Sequence, residues 1–159
     1  MNQKNKCTND ILPRITIRDY QPDDYPAIES LWLVTDLGGS WRGDDQAVVE
    51  KSLAIGGKLL VALDNDGTLV GTSWMTFDGR RLHLHHVGVL PDYRRLGIGR
   101  LLSVESIRFA REQQVQIKLE VHRSNEAAVS LYKKLGFLYL GDYDVYIIRE
   151  FHSLAGLEE

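Results

Sequence analysis

Residues 94–100 read Arg94-Arg95-Leu96-Gly97-Ile98-Gly99-Arg100, placed between an apolar stretch that closes at Leu90-Pro91 and a long amphipathic pattern. Two near-adjacent glycines ahead of a helix leave backbone N–H groups uncovered. Those donors, with the partial positive charge of the helix end, suit phosphate oxygens. A mononucleotide P-loop requires Lys and then Ser or Thr after its second glycine, where this chain has Arg100 and Leu101, so that reading is excluded. A dinucleotide fingerprint requires a third glycine at Leu102; Glu120 stands at roughly the spacing of the ribose-binding acid, yet the glycine is missing. The run reads as a holder of a phosphorylated cofactor, with a plain strand-to-helix turn as the alternative.

The titratable groups nearby are His83, His85, His86 and Glu120. A strand period of two puts His83 and His85 on one face with Val87 and Val89 and turns His86 to the other. Imidazoles titrate near neutrality and suit a proton relay. Glu120 falls on the polar face of an alternating strand over residues 115–121, where a carboxylate on a solvated or helix-covered face is the plain alternative. Tyr132 shares helical spacing with Ala128, Leu131 and Leu135, which a core tyrosine would satisfy equally. Asn125 suits a helix N-cap. His83 and His85 with His122 across the sheet are the obvious metal alternative, but no Cys or carboxylate flanks them at ligand spacing, and the expectation is no metal.

These residues need elements to hold them. Alternation predicts strands over residues 14–18 and 115–121, the runs 58–63, 69–77 and 81–89 around the turns read as strands too, and two more are expected around 137–140 and 143–148. Asp-Gly pairs at 66–67 and 78–79 mark hairpin turns. Apolar periodicity predicts helices opening at Pro22 with Ala27, Ile28, Leu31 and Trp32 on one face, over about 44–55, after the glycine run, and from Asn125 to Gly136. A strand, a crossover helix and a strand imply one parallel pair. The expected fold is α/β (α+β): a mixed, mostly antiparallel sheet with helices on both faces.

The chain has 159 residues and 43% apolar content, which fits one domain with a substantial core. The expected division is a leader over 1–13, a domain over 14–151 and a tail over 152–159 containing His152. With 19 basic against 22 acidic residues there is no general field for nucleic acid or an anionic membrane surface. The only cysteine, Cys7, excludes an intrachain disulfide. Neither a secretory h-region nor a membrane-length apolar run is visible, so the expected location is cytoplasmic.

Taken in order, Val87-Gly88-Val89-Leu90-Pro91-Asp92-Tyr93-Arg94-Arg95-Leu96-Gly97-Ile98-Gly99, then Leu119-Glu120-Val121, then Asn125-x-x-Ala128-x-x-Leu131-Tyr132-x-x-Leu135-Gly136-Phe137 resembles the GNAT superfamily of acyl-CoA-dependent N-acyltransferases over about residues 14–150. The resemblance implies acetyl-CoA as donor and a primary amine as acceptor, either a small molecule or a protein N-terminus or lysine. It implies that main-chain amides over 95–100 hold the pyrophosphate, and that the strand with Val87, Gly88 and Val89 pairs with the pantetheine arm and aims an N–H at the thioester carbonyl. It further implies that two strands, here 81–89 and 115–121, splay to admit that arm. Asn125 would contact the cofactor and Tyr132 would protonate the departing thiolate. For the base, Glu120 resembles the glutamate of ribosomal-protein N-terminal acetyltransferases, and His83/His85 are similar to the His-x-His pair of arylalkylamine N-acetyltransferases. Acceptor binding is implied around Trp41, Arg42, Asp44, Asp45, Trp74, Tyr143, Asp144 and Tyr146.

The expected function is direct acetyl transfer in a ternary complex. A non-catalytic acyl-CoA-binding regulatory module is the alternative, against which the polar residues around the acetyl position argue. Family members often pair, which leaves a homodimer open.

Overall fold

A computed structural model describes residues 14–141 and 144–148. The leader 1–13 with Cys7, the tail 152–159 with His152, and Tyr143 lie outside the described residues.

The elements are β1 (Thr16–Asp19), α1 (Tyr25–Thr35), α2 (Gln46–Ala54), β2 (Lys58–Leu63), β3 (Leu69–Phe77), β4 (Arg81–Leu84), β5 (Gly88–Val89), α3 (Ile98–Glu112), β6 (Gln116–Leu119) and α4 (Glu126–Lys134). The sheet runs β1-β2-β3-β4-β6, with β5 also paired to β3. All pairs are antiparallel except β4 with β6, the expected parallel pair. Asp64 and Asp78 fold the two hairpin turns by accepting N–H groups from Asp66 and Thr68, and from Arg80 and Arg81.

Two cores lie on opposite faces. Tyr25, Ile28, Leu31 and Trp32 of α1 and Val49 of α2 cover Leu59, Val61 and Trp74. Ile98, Leu102 and Ala110 of α3 cover Leu60, Ala62, Val70, Met75, Leu82 and Leu84, and Tyr132 of α4 joins that side. On the α1 side Trp32 stacks on Trp74 at 5.6 Å, and their ring N–H groups donate to Thr72 and Ser52. Every indole donor of that pair is thereby satisfied in the core.

Several expectations are corrected. Pro22 opens a 3-10 turn, Pro22–Asp24, and α1 starts only at Tyr25. Ile28, Leu31 and Trp32 are buried as expected, joined by Tyr25 one turn earlier, whereas Ala27 is exposed. The helix expected over about 44–55 runs over Gln46–Ala54, with Asp45 as its N-cap accepting from Val48 N at 2.9 Å. The strand expected over 81–89 is broken into β4 and β5. The strands expected around 137–140 and 143–148 are not formed among the described residues, and Leu138, Tyr139, Leu140, Val145, Tyr146, Ile147 and Ile148 are exposed there. Alternation is a local signal, whereas a strand forms only against a partner edge, and β6 offers an edge of four residues.

Candidate active site

The break after β4 is a β-bulge. β3 pairs Met75 with Leu84 and then Thr72 with Gly88, so two residues of β3 face three of the partner, His85, His86 and Val87. His85 N donates to Trp74 O, and Val87 N turns back to His85 O. One extra residue reverses the alternation beyond it. His83 and His85 therefore do not share a face with Val87 and Val89, as period two had implied. The two valines pack with the α3-side core, while His85 lies against Trp74 on the α1 side. Nor does His86 turn away from its neighbour, because it too packs on Trp74 and on Trp32.

The bulge sits where the sheet forks. β4 and β6 pair from Arg81↔Gln116 to Leu84↔Leu119, and beyond that point β5 continues with β3 alone. The next residue on one arm is His85; on the other it is Glu120. His83 lies just inside, its ring 4.1 Å from that of His85 and its Nε2 3.8 Å from Glu120 Oε1. The two competing candidates for the proton relay thus form one cluster. Burial, with Lys118 adding to it, pushes the His83 pKa down. Burial, then the neighbouring His83 and His86, pushes His85 down to about 4, so its ring is neutral near pH 7.

One main-chain donor, that of Val89, stands open at the fork. Leu90 N donates to Val70 O on β3, so antiparallel alternation turns Val89 N–H to the other edge, where β5 has no strand partner among the described residues. Val87, the other candidate donor, already spends its N–H on His85 O.

The glycine run follows a 3-10 turn, Pro91–Tyr93, which Tyr93 ties to the β2–β3 hairpin by donating its hydroxyl to Asp64 at 2.6 Å. Gly97, at φ 82°, is the N-cap of α3 and has no side chain to cap with. The first bond into the helix is Leu101 N to Gly97 O, so the N–H groups of Ile98, Gly99 and Arg100 have no intrahelical acceptor. Gly99 therefore falls inside the first turn rather than before the helix. A Cβ there would meet nothing nearer than Val89 Cγ2 at 3.9 Å, so packing does not demand glycine. In a helix glycine costs about 0.5–1 kcal/mol relative to alanine, and bare backbone is what it offers in return. Arg95 holds φ 64°, a left-handed conformation rare outside glycine and frequent at ligand-binding sites. Arg94, Arg95, Leu96 and Arg100 are exposed around these amides, and Ile98 anchors the turn in the core. The residues present fit a diphosphate.

A model of the acetyltransferase (GNAT) family matches residues 17–137. The chain belongs to the GNAT acetyltransferase family. It is 30% identical over 122 residues to an acetyltransferase of Yersinia pestis, a match covering 76% of this chain and 86% of that one. Its fold resembles the ribosomal-protein-S18-alanine N-acetyltransferase of Escherichia coli, with TM-score 0.66, 24% identity and 77% of each chain covered. It also resembles yncA of Salmonella typhimurium, solved with its cofactor acetyl-CoA, with TM-score 0.67, 24% identity, and 78% and 79% covered. This GNAT acetyltransferase is thus an acyltransferase by family and a GNAT fold by architecture.

Asn125 caps α4, accepting from Ala128 N at 3.2 Å. Tyr132 packs edge-on against Phe137 at 5.5 Å, and burial raises its pKa to about 12. Among the residues implied for the acceptor, Trp74 is in the core at 3% exposure and forms no open wall. Trp41 is exposed with the Arg42 guanidinium 4.4 Å over its ring, Asp44 lies 3.1 Å from His86 Nε2, and Asp144 and Tyr146 are exposed. His122 bonds Ser124, and among the described residues no group of three His, Cys, Asp or Glu is arranged to hold a metal ion. No described helix is long and apolar enough to cross a membrane.

Sequence reading missed Thr76, whose Oγ1 lies 2.7 Å from His85 Nε2. Counting back from the Asp78-Gly79 turn pairs residue 77 with 82 and 76 with 83, so the hairpin itself could have pointed to it.

Proposed function

We propose that this GNAT acetyltransferase moves an acetyl group from acetyl-CoA to a primary amine by direct attack within a ternary complex. The observation that carries this reading is the fork: pairing stops after Leu84↔Leu119, and Glu120, His83 and His85 stand in its mouth. Acetyl-CoA would supply the activated thioester, with its diphosphate held by the amides of 98–100 beside Arg94, Arg95 and Arg100 and its arm along the free edge of β5. Val87, Gly88, Leu96 and Asn125 shape that path through the bulge, the loop and the α4 cap.

An amine of lysine type, pKa near ~10.4, must lose a proton before it attacks. Glu120 at the open mouth accepts that proton through water, and His83, poised 3.8 Å away, extends the path inward to His85. Val89 N–H is the fixed donor for the carbonyl oxygen as it gains charge. Tyr132 keeps its proton at any working pH and offers the O–H to the departing sulfur. The acceptor enters past Trp41, Arg42, Asp44 and Asp45, where Asp44 and Asp45 favour a cation. Whether that acceptor is a small amine or a protein N-terminus sets the rest of the surface used.

Thiol release from acetyl-CoA with a pooled amine library, read by mass spectrometry of the products, tests the reading and names the acceptor. Coenzyme A binding by calorimetry with no acetylated product would make the chain a regulatory acyl-CoA module instead. No binding at all would overturn the site.

A further inference from the structure

Antiparallel register sets Thr76 across from His83, on the face that carries the imidazoles, and its Oγ1 is within 2.7 Å of His85 Nε2. Among the described residues the His85 ring has no other hydrogen-bond partner, so Nδ1 is open. The surroundings are otherwise aromatic or titratable: Trp74 on β3 at 5.5 Å, His83 on β4, His86 in the bulge, Asp44 from the loop before α2, and Lys118 on β6. A neutral imidazole has one N–H, and Thr76 Oγ1 is the acceptor standing ready for it. The reverse arrangement, hydroxyl donating to Nε2, would put the ring N–H at Nδ1, where among the described residues no side chain or carbonyl receives it and only water can, whereas a hydroxyl hydrogen can rotate toward another acceptor. A β-branched residue in a strand also holds its χ1 firmly, which makes threonine a stiff anchor.

We infer that Thr76 is a positioning residue of the proton path: its hydroxyl accepts from His85 Nε2–H, which pins the ring and leaves the Nδ1 lone pair as the proton-accepting atom. This rests on the fork being the acyl-transfer site, but the hydrogen bond itself can be observed without any substrate. The proton taken at Nδ1 comes from the amine through water or His83 and returns to solvent the same way, so no further reactant is needed. Thr76 touches neither the thioester nor the amine and acts only through the imidazole.

The test is 15N-histidine NMR of the full chain near neutral pH, together with steady-state acetyl transfer. Wild type should show His85 as the Nε2–H tautomer, with that proton protected from solvent exchange. Thr76→Val keeps the shape and removes the hydroxyl; it should abolish the protection and lower kcat roughly tenfold while KM for acetyl-CoA stays within about twofold. Thr76→Ser should restore both. An Nδ1–H tautomer in wild type overturns the assignment outright, and that measurement decides even if Thr76→Val fails to fold. A Thr76→Val protein with wild-type protection and turnover overturns it as well. Loss of acetyl transfer in wild type with a protected Nε2–H would strike the proposed function instead, and leave the Thr76–His85 bond established.

Discussion

His85 shows how burial and chemistry are coupled at this site. In the unfolded chain its imidazole would titrate near 6.5, and in the folded protein burial and the adjacent His83 and His86 bring it to about 4. Between those values the unfolded chain binds a proton that the folded chain refuses, so unfolding becomes easier as pH falls. The stabilisation is complete above about pH 6.5 and is lost through about pH 4, and His83, lowered by burial, acts in the same direction. Urea midpoints should therefore hold steady above neutrality and drop across that window, and His85→Gln should flatten the drop; a wild-type profile with no acid slope would contradict the burial. Tyr132 illustrates the opposite displacement. With its pKa raised to about 12 it is a weak acid toward a thiolate of pKa ~8.5, so the role proposed for it is a hydrogen bond to sulfur as charge builds rather than complete proton transfer. Tyr132→Phe should lower kcat by about 10²-fold with little change in acetyl-CoA affinity, and unchanged turnover would remove the role.

At the scale of elements, the first turn of α3 makes a prediction with two signs. Gly99 has helical backbone and room for a Cβ, so Gly99→Ala should raise stability by about 0.5–1 kcal/mol, as alanine does in helices. The same methyl would stand over the amides proposed to grip the diphosphate, so coenzyme A affinity should fall by about tenfold or more, a loss of roughly 1.4 kcal/mol. Chemical denaturation and calorimetry on one variant check both. If affinity is untouched, the glycine is not there for a ligand. Helices and the parallel pair were legible in the sequence because they leave long periodic marks: Ile98, Leu102 and Ala110 along α3, and the alternation through Gln116, Ile117 and Lys118. The bulge was not, because a single inserted residue has no period. His85-His86-Val87 reads as uninterrupted strand, and only the pairing with β3 shows that this run holds one residue too many. The candidate site was thus half legible: its members could be named, but which of them face one another depended on that one residue. The C-terminal strands erred the other way, since residues 137–140 are uniformly apolar and aromatic yet form no strand among the described residues.

For the whole molecule, the sheet separates two cores, and the fork opens at one end of the plane between them. α1 reaches that plane at Gly88, where a Cβ would come within 3.0 Å of Leu31 and nearer still to Leu37, so the α1 side is seated hard against β5. α3 meets the same strand from the other face through Ile98 and its neighbours, and carries the turn proposed to hold the diphosphate. A ligand lying along β5 and ending at that turn would touch segments anchored in both cores, and it would bind the folded chain alone. Its stabilisation should therefore appear in global unfolding rather than in one segment. At a concentration one hundred times Kd the linkage is worth about 2.7 kcal/mol. For a chain of this size that corresponds to a rise in Tm of roughly 5–11 °C. Because the net charge is −3, the proposed attraction would come from Arg94, Arg95 and Arg100 rather than from the molecule as a whole, and added salt should shrink the rise at constant coenzyme A. Differential scanning calorimetry at two ionic strengths tests both parts. A single shifted transition that weakens with salt is the expected result, whereas a salt-independent shift, or a new low-temperature transition, would place the ligand away from the arginine turn.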